Sequence, residues 1–345
     1  MPTGGASPLR LLLVGFGNVG RTLVEVLRDR DRYPGLVGLD VAVVGITTAA
    51  HGARFDPRGI DPATALADRA AGRLGGEAAA PTTLDAVRTL DYDVLVELSP
   101  LSVRERGEPA IAHARAALER GRHVVTANKG PVAWAYRELA ELARANGCRF
   151  LHEATVMDGA PVFNLARHCL AGNVVVRLDG VLNSTTNIVL SLIEHGAALA
   201  EGVAEAQRLG IAEADPALDV DGWDAAVKVA ALANALMGAE LAPDVVARQS
   251  LCEVDEAWVR AAPARGFHVK MVAGAERDGE AVSASVAARE LALEHPFART
   301  DGAGSVLRIV TDLMGTIVLA EEAPDLKTTA YGVIADLLEI QRGCD

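Results

Sequence analysis

The chain has 345 residues, half of them hydrophobic, and a formal net charge of −13 at pH 7. These values predict a globular protein of two domains with a sizeable core, and the negative charge without a basic run argues against nucleic acid as a partner. The four cysteines show no CxxC or CxxH spacing, so neither a zinc site nor a disulfide framework is predicted. Since no signal peptide or membrane-spanning stretch is predicted either, we expect a cytoplasmic protein and no membrane partner.

A glycine-rich turn follows the first predicted strand. Leu9–Val14 is apolar, as is typical of a central strand in a parallel sheet, and residues 15–20 read GFGNVG before a helical pattern. In this context GxGxxG predicts dinucleotide binding, because glycines let the backbone approach a pyrophosphate at the helix N-terminus. A purely structural glycine turn is the alternative. The expected cofactor contacts in this turn are Gly15, Gly17, Asn18, Val19 and Gly20.

The end of the second predicted strand, Val41–Ile46, bears on the choice of cofactor. NAD-specific folds usually carry an acid there for the ribose hydroxyls, whereas this chain has Thr47 and Thr48. The missing negative charge permits a 2′-phosphate, which His51 or Arg54 would neutralise; for each of them, a loop residue in solvent is the alternative. The pattern favours NADP, with NAD as the alternative.

Two later strands end in polar residues at the same predicted edge of the sheet. Asp93–Leu98 is followed by Ser99 and Pro100, and His123–Thr126 is followed by a polar turn that contains Lys129. Open α/β sheets bind ligands beyond the carboxyl ends of their strands. We therefore expect Ser99 and Pro100 at the cofactor and Lys129 near the ligand, with a solvent-exposed lysine as the alternative.

The pattern changes at Phe150, where we place a domain boundary. Residues 1–150 are predicted to form the dinucleotide-binding domain, 151–320 a second domain for substrate binding and dimerisation, and 321–345 a helix that returns to the first domain. The fold class is α/β, a Rossmann-type doubly wound parallel sheet with a second α+β domain. In the second domain a strand, Val174–Leu182, precedes Asn183, Thr185 and Thr186, which are either helix caps or ligand contacts.

Residues 210–236 place five carboxylates ahead of one lysine. They are Glu213, Asp215, Asp219, Asp221 and Asp224, followed by Lys228. A helix that begins near Asp221 puts Asp224 and Lys228 four residues apart on one face, which taken alone is usually a weak surface ion pair. Surplus carboxylates repel one another unless a cation lies among them. We therefore interpret the stretch as a site for a small amino-bearing molecule, where a lysine can exchange a proton.

Several segments together resemble homoserine dehydrogenase. They are GFGNVG, HVVTANKGP, EATV before a Gly-x-Pro turn, GVLNSTTN and AQRLGIAEADPALDVDGWDAAVKVAALA, and the resemblance covers Leu9 to Ile340. It implies a nicotinamide-binding Rossmann domain, a dimerising substrate domain, and NAD(P)-dependent interconversion of L-aspartate 4-semialdehyde and L-homoserine in threonine and methionine biosynthesis. It also implies a homodimer with one catalytic core, without an aspartokinase or a regulatory domain.

The resemblance implies a role for individual residues as well. Lys129 and Lys228 would handle the proton of the alcohol, and Asp224 would orient Lys228. The substrate contacts would be Glu213, Asp219, Asn183, Thr185 and Thr186, and Thr329 would meet the cofactor. A monovalent cation, Na⁺ or K⁺, would lie on the backbone carbonyls of Glu153, Val156, Asp158 and Ala160.

Three positions depart from the family pattern. Ser184 stands where the family has the glycine of NGTTN, Asp158 stands in the turn after EATV where the family has small residues, and residues 320–330 have acids in place of glycines. These departures leave two alternatives: a paralogue that reduces another amino-acid semialdehyde, and a nucleotide-binding sensor without catalysis. The presence of Lys129, Asp224 and Lys228 together favours an enzyme.

Overall fold

A computed structural model describes residues 7–75, 81–212 and 215–344. The strands are β1 (Leu9–Val14), β2 (Val41–Thr47), β3 (Ala53–Phe55), β4 (Val94–Glu97), β5 (His123–Thr126), β6 (Phe150–Leu151), β7 (Val175–Val181), β8 (Ala247–Arg248), β9 (Phe267–Asp278), β10 (Ala281–Ala292), β11 (Ser305–Thr311) and β12 (Thr316–Glu321). The helices are α1 (Asn18–Arg28), α2 (Pro62–Ala70), α3 (Thr83–Thr89), α4 (Ala110–Glu119), α5 (Lys129–Ala145), α6 (Val162–Cys169), α7 (Ser184–Glu194), α8 (Leu199–Arg208), α9 (Ala217–Val220), α10 (Trp223–Met237), α11 (Glu256–Ala261) and α12 (Leu326–Cys344). Among the described residues, no helix is both long and apolar enough to cross a membrane.

The first compact unit runs to Gly159 and resumes at Asp325. Its sheet has the order β3-β2-β1-β4-β5-β6, and all pairs are parallel except β2 with β3. Leu11 and Leu13 pack with residues of α1 and α12, while Leu12 on the opposite face is also fully buried. Burial of both faces is the reason that β1 is almost wholly apolar. The predicted doubly wound parallel sheet is confirmed.

The chain leaves the first unit later than the boundary expected at residue 150. The strand Phe150–Leu151 pairs with β5 and forms the edge of the first sheet. The turn that follows packs closely on α12, since a Cβ atom at Gly159 would lie 2.3 Å from the carbonyl oxygen of Thr328. The second unit therefore begins at Ala160, and it ends at Pro324.

The second unit is built on one mixed sheet, with the order β12-β11-β7-β9-β10-β8. All its pairs are antiparallel except β8 with β10, and α7 and α10 pack against the sheet. The sequence suggests short strands at 270–273 and 282–288, whereas β9 and β10 each have 12 residues. The difference arises because charged residues near the turn, such as Glu276 and Arg277, interrupt the apolar pattern and yet remain paired across the hairpin.

The acidic stretch forms two helices rather than one that begins near Asp221. Gly222 adopts the left-handed conformation with φ +74°, which ends α9 and allows α10 to begin at Trp223. A side chain at this position would also meet the backbone, because a Cβ atom would lie 3.2 Å from the carbonyl oxygen of Gln249. The break places Asp219 on a short helix of its own, ahead of the helix that carries Asp224 and Lys228.

Candidate active site

The loop between β1 and α1 requires glycine at position 15. Gly15 has φ +98°, and a Cβ atom there would lie 2.5 Å from the carbonyl oxygen of Leu98. Gly17 is the N-cap of α1, which begins at Asn18 without an acidic residue in its first turn. The first backbone N–H groups of this helix therefore lie beside the loop, the arrangement that binds the phosphates of a nucleotide.

A cavity of about 350 Å³ opens at this loop, and its size is typical of a small-molecule site. Its lining residues come from the glycine loop, the end of β2, helices α2, α3 and α4, and the segment after β4. Of the predicted cofactor contacts, those that line the cavity are Gly15, Gly17, Thr47, Ser99 and Pro100. The others, Asn18, Val19, Gly20 and Thr329, are not among its lining residues.

The end of β2 contributes an unusual hydroxyl to the cavity. Thr47 is only 1% exposed, and its Oγ1 has no hydrogen-bond partner within the described residues. Buried polar groups are nearly always paired, so this hydroxyl is an exception among the described residues. Thr47 itself lines the cavity at the strand end where the ribose of a dinucleotide is normally held.

One of the two basic residues expected at this end of the cavity lines it, together with a third that was not expected. Arg54 forms an ion pair with Asp68 and does not line the cavity, while His51 does line it. Arg69 on α2 also lines the cavity, and its Nε donates to the carbonyl oxygen of Phe16 at 3.3 Å. Arg69 was not predicted from the sequence because it lies on α2, which is separated from the end of β2 by β3 and a loop. The available signal was a basic residue near the end of the segment that forms α2.

Lys129 lies at the carboxyl edge of the first sheet, as its position after β5 indicates. The helix α5 begins at Lys129 itself, because Asn128 acts as its N-cap. The Oδ1 atom of Asn128 accepts from the backbone N–H of Gly130 at 2.8 Å, and its Nδ2 donates to the carbonyl oxygen of Ser99 at 3.0 Å. This buried asparagine therefore fixes the helix start that carries Lys129 to the segment after β4.

In the second unit, Asn183 connects two of the acidic side chains. Its Oδ1 accepts from the backbone N–H of Thr186 at 2.8 Å and caps α7. Its Nδ2 donates to Asp219 Oδ1 at 2.7 Å and to Asp224 Oδ2 at 3.1 Å. The hydroxyl of Thr185 donates to Asp219 Oδ2 at 2.7 Å. Asn183 is thus both a helix cap and a member of the acidic cluster.

Lys228 completes this cluster. Its Nζ lies 3.4 Å from Asp224 Oδ2 and donates to the carbonyl oxygen of Leu182 at 2.5 Å. The two side chains of the pair are only 16% and 17% exposed. This burial and the additional hydrogen bonds distinguish the pair from a surface ion pair. Among the residues that the structure describes, the cluster of Asp219, Asp224 and Lys228 brings two carboxylates together with one ammonium group, a balance of charge that favours a further cation.

The pKa of Asp219 reflects this excess of negative charge. Burial raises it, and the neighbouring Asp224 raises it further, against the hydrogen bonds from Thr185 and Asn183 and the charge of Lys228. A cation placed beside Asp219 would favour its ionised form and so would bind more tightly than in a neutral environment.

The remaining acids of the stretch lie elsewhere. Glu213 lies outside the described residues. Asp215 is exposed and accepts from the backbone N–H of Ala217 at 3.1 Å. Asp221 is also exposed and accepts from the hydroxyl of Ser250 at 3.2 Å. Both have local structural roles, so the site is smaller than the run of acids suggests.

Two neighbouring hydroxyls point away from the acidic cluster. Ser184, in the slot where the family has glycine, donates to the carbonyl oxygen of Ala303 at 2.9 Å. The hydroxyl of Thr186 donates to the backbone carbonyl of Asn183 at 3.2 Å. The serine therefore holds the loop before β11, and its hydroxyl is not a contact of Asp219 or Asp224.

Structural roles also account for the other two departures. Asp158 adopts the left-handed conformation with φ +44°, and its carboxylate accepts from the hydroxyl of Thr329 at 2.6 Å. In the acidic loop, Asp325 accepts from the backbone N–H groups of Lys327 and Thr328 at 2.8 and 3.0 Å and so stabilises the start of α12.

The carbonyls predicted for a cation come from both units. Glu153, Val156 and Asp158 belong to the first, and Ala160 begins the second. The carbonyl of Ala160 accepts from the backbone N–H of Val162 at 2.8 Å. Within the part of the chain that the structure describes, no group of three His, Cys, Asp or Glu side chains is arranged to hold a metal ion.

Known proteins match the whole architecture. Residues 161–338 match the family described as homoserine dehydrogenase, and residues 15–153 match the family described as homoserine dehydrogenase, NAD binding domain. An NAD(+)-dependent homoserine dehydrogenase of Pseudomonas canavaninivorans is 35% identical over 341 residues, which cover 96% of each chain.

Solved structures agree with these matches. A crystal structure from Archaeoglobus fulgidus has a TM-score of 0.85 at 31% identity and covers 96% of this chain and 99% of that chain. A hyperthermophilic archaeal homoserine dehydrogenase in complex with NADPH has a TM-score of 0.82 at 28% identity and covers 97% of this chain and 98% of that chain. The chain belongs to the homoserine dehydrogenase family, as the motifs in its sequence predict.

Proposed function

We propose that the first unit binds the nicotinamide cofactor and that the acidic cluster of the second unit binds the amino group of homoserine or aspartate 4-semialdehyde. As a member of its family the chain is an NAD(P)-dependent oxidoreductase that acts on a CH–OH group, which confirms the predicted class. The observation that carries the substrate assignment is the pair of carboxylates at Asn183, where Asp219 and Asp224 meet one lysine among the described residues.

Each side chain of the cluster receives one role in this proposal. Asp219 and Asp224 accept hydrogen bonds from the substrate ammonium, and Asp224 also orients Lys228. The ammonium group of Lys228 supplies the proton to the alcohol oxygen during reduction and removes it during oxidation. Lys129 is the second candidate for this proton. The bound nicotinamide supplies or accepts the hydride.

The test is a spectrophotometric assay of the full chain. Absorbance of the reduced nicotinamide is followed with L-homoserine and with a panel of related amino alcohols, including one that lacks the amino group. We expect turnover with homoserine and little with the analogue without an amino group, because the carboxylates would then lack their cation. Turnover of another amino alcohol in preference to homoserine would contradict the substrate assignment.

We further propose that NADP is preferred to NAD. Thr47 replaces the usual acid, and Arg69 lies in the wall of the same cavity without an ion-pair partner among the described residues. The relatives include both an NAD(+)-dependent enzyme and an NADPH complex, so family membership leaves the choice open. We expect NADP to saturate at lower concentration and Arg69→Ala to remove that advantage. Tighter saturation by NAD in the unmodified chain would overturn the proposal.

A monovalent cation on the carbonyls of Glu153, Val156, Asp158 and Ala160 stays a prediction. It is supported by the left-handed backbone of Asp158, which turns the chain sharply at the third of these positions. Activity should fall when Na⁺ and K⁺ are replaced by a bulky organic cation at equal ionic strength. Unchanged activity would count against the site.

A homodimer formed through the sheet of the second unit is the last part of the proposal. Arg308 lies in register with Asp179 and with Val318, so these three side chains share one face of the sheet. Val318 is 42% exposed there, whereas Leu178 and Ile309 on the opposite face are fully buried. Light scattering should give twice the mass of one chain, and Val318→Glu should lower it. A single-chain mass without any substitution would refute the dimer.

A further inference from the structure

A buried side-chain network lies under the cavity of the first unit, and the roles proposed above do not use it. Glu97, the last residue of β4, is fully buried. One of its carboxylate oxygens accepts from the backbone N–H of Ser99 at 2.9 Å and from the hydroxyl of Ser99. The other oxygen lies 2.9 Å from Nδ1 of His113 on α4. A buried carboxylate requires such partners, and within the described residues neither an arginine nor a lysine forms an ion pair with Glu97.

His113 has a second ring nitrogen that this network leaves available. The side chain is 95% buried, yet it is one of the residues that line the cavity of about 350 Å³. Its Nδ1 is engaged by Glu97, and its Nε2 makes no hydrogen bond to the described residues. Nε2 is not among the atoms that are closed off from solvent, so a molecule in the cavity can form a hydrogen bond with it.

We propose that His113 binds the dinucleotide directly through Nε2, with Glu97 as the positioning residue that fixes the ring. The Glu97 carboxylate accepts from Nδ1, which leaves Nε2 for the cofactor. A ribose hydroxyl both donates and accepts, so it can form a hydrogen bond with Nε2 in either protonation state of the ring. The inference rests on the proposed function, since it needs a dinucleotide in this cavity.

The same network reaches the start of α5. Asn128 Nδ2 donates to the carbonyl oxygen of Ser99 at 3.0 Å, and Asn128 caps the helix whose first residue is Lys129. Cofactor bound to His113 would therefore be linked, through Glu97 and Ser99, to the helix start that carries a candidate catalytic lysine.

Two near-isosteric substitutions separate the two nitrogens. The amide of asparagine occupies the place of Nδ1, so His113→Asn keeps the contact with Glu97 and removes the group that faces the cofactor. The longer amide of glutamine reaches the place of Nε2, so His113→Gln keeps a polar group at the cavity and loses the contact with Glu97. Glu97→Gln tests the positioning residue, because the glutamine amide has one oxygen and so cannot accept from both Ser99 and His113.

The measurement is the dissociation constant of NADPH and of NADH by titration calorimetry on the full chain, with the thermal unfolding midpoint of each variant as the control for folding. We expect His113→Asn to weaken binding about 3- to 10-fold, the worth of one hydrogen bond, without a matching loss of stability. His113→Gln should lie between that variant and the unmodified chain, and Glu97→Gln should weaken binding in the same direction.

Unchanged dissociation constants in both His113 variants would overturn the inference. Equal weakening in both, together with a lowered unfolding midpoint, would overturn it as well, because the histidine would then act by packing alone. If His113→Asn does not fold, the comparison of His113→Gln with Glu97→Gln carries the test. Failure of the unmodified chain to bind either dinucleotide would instead refute the proposed function.

Discussion

The substitution Asp219→Asn tests the amine site with little disturbance of the fold. The new side chain has the same shape, and its oxygen can still accept from Asn183 while its amide donates to the hydroxyl of Thr185, which has acceptor lone pairs. The change therefore removes one negative charge and keeps the hydrogen-bonded geometry. We expect the unfolding midpoint to shift by only a few degrees.

The expected effect on substrate binding is large. A hydrogen bond to a charged group contributes about 1.5–3 kcal/mol, and each 1.4 kcal/mol is a factor of ten, so KM for homoserine should rise by about 10- to 100-fold. The KM of the cofactor should not change, because the cavity at Gly15 contains no part of this cluster. The assay is initial-rate kinetics with both substrates varied.

The pH dependence provides a second measure. Burial and Asp224 raise the pKa of Asp219 above its ordinary value of 3.8, so on acidification the carboxylate is lost at a higher pH than for an ordinary aspartate. KM of the unmodified chain should rise as pH falls through this raised pKa, and Asp219→Asn should remove that rise. The contribution of this group to folding stability has the opposite sense: it is fully present below pH 3.8 and is lost as pH rises through the raised pKa.

Asp221→Asn is the matched control. Asp221 belongs to the same acidic stretch, but its side chain is exposed and bonds to Ser250 instead of the cluster. Its substitution should leave KM near that of the unmodified chain. A KM within twofold of the unmodified value for Asp219→Asn, or an equal rise for both variants, would refute the assignment of the amine site.

Four further substitutions, one of them a control, test separate parts of the fold. Gly15→Ala should add about 1–2 kcal/mol of backbone strain and a steric clash, so both the unfolding midpoint and the cofactor affinity should fall. Gly17→Ala, whose Cβ atom would meet no other residue within 4 Å, should leave the unfolding midpoint unchanged and lower the cofactor affinity alone, because a pyrophosphate approaches the backbone there. Lys270→Met should lower the free energy of unfolding in urea by about 1–3 kcal/mol, since the buried ammonium donates to Asn187 Oδ1 at 2.7 Å. Burial also lowers the pKa of Lys270, so the stability of the unmodified chain should rise as pH approaches 10.5, and the variant should lack that rise. Asp325→Ala should lower the free energy of unfolding by about 0.5–2 kcal/mol, because the start of α12 loses its cap. If the free energy of cofactor binding changes by more than the free energy of unfolding, the acidic loop has more than a structural role.

Local patterns allowed much of the first unit to be predicted. The strands Leu9–Val14 and His123–Thr126 have the predicted bounds, because a short apolar run is a signal that neighbouring residues contain. The glycine loop was predictable for the same reason. The family and the reaction class are confirmed because several such local motifs occur in one order along the chain.

Long-range contacts account for what the sequence did not reveal. Asp219 forms a hydrogen bond with Asn183, the N-cap of α7, although the two residues are 36 positions apart in the sequence. No local pattern encodes that contact. Arg69 and His113 face the cavity from helices whose rotation about their axes depends on packing. The roles of Lys129, Lys228 and the other site residues stay predictions, since geometry alone does not measure a rate.

The most direct test of the central claim is the kcat of Lys228 variants. Lys228→Met removes the proton donor, and Lys228→Arg keeps a positive charge beside Asp224 on a group that does not give up its proton. If Lys228 handles the proton of the alcohol, kcat should fall by about two to four orders of magnitude in both variants, while the dissociation constant of the cofactor stays the same. A kcat near that of the unmodified chain in either variant would remove Lys228 from the reaction and leave Lys129 as the remaining candidate.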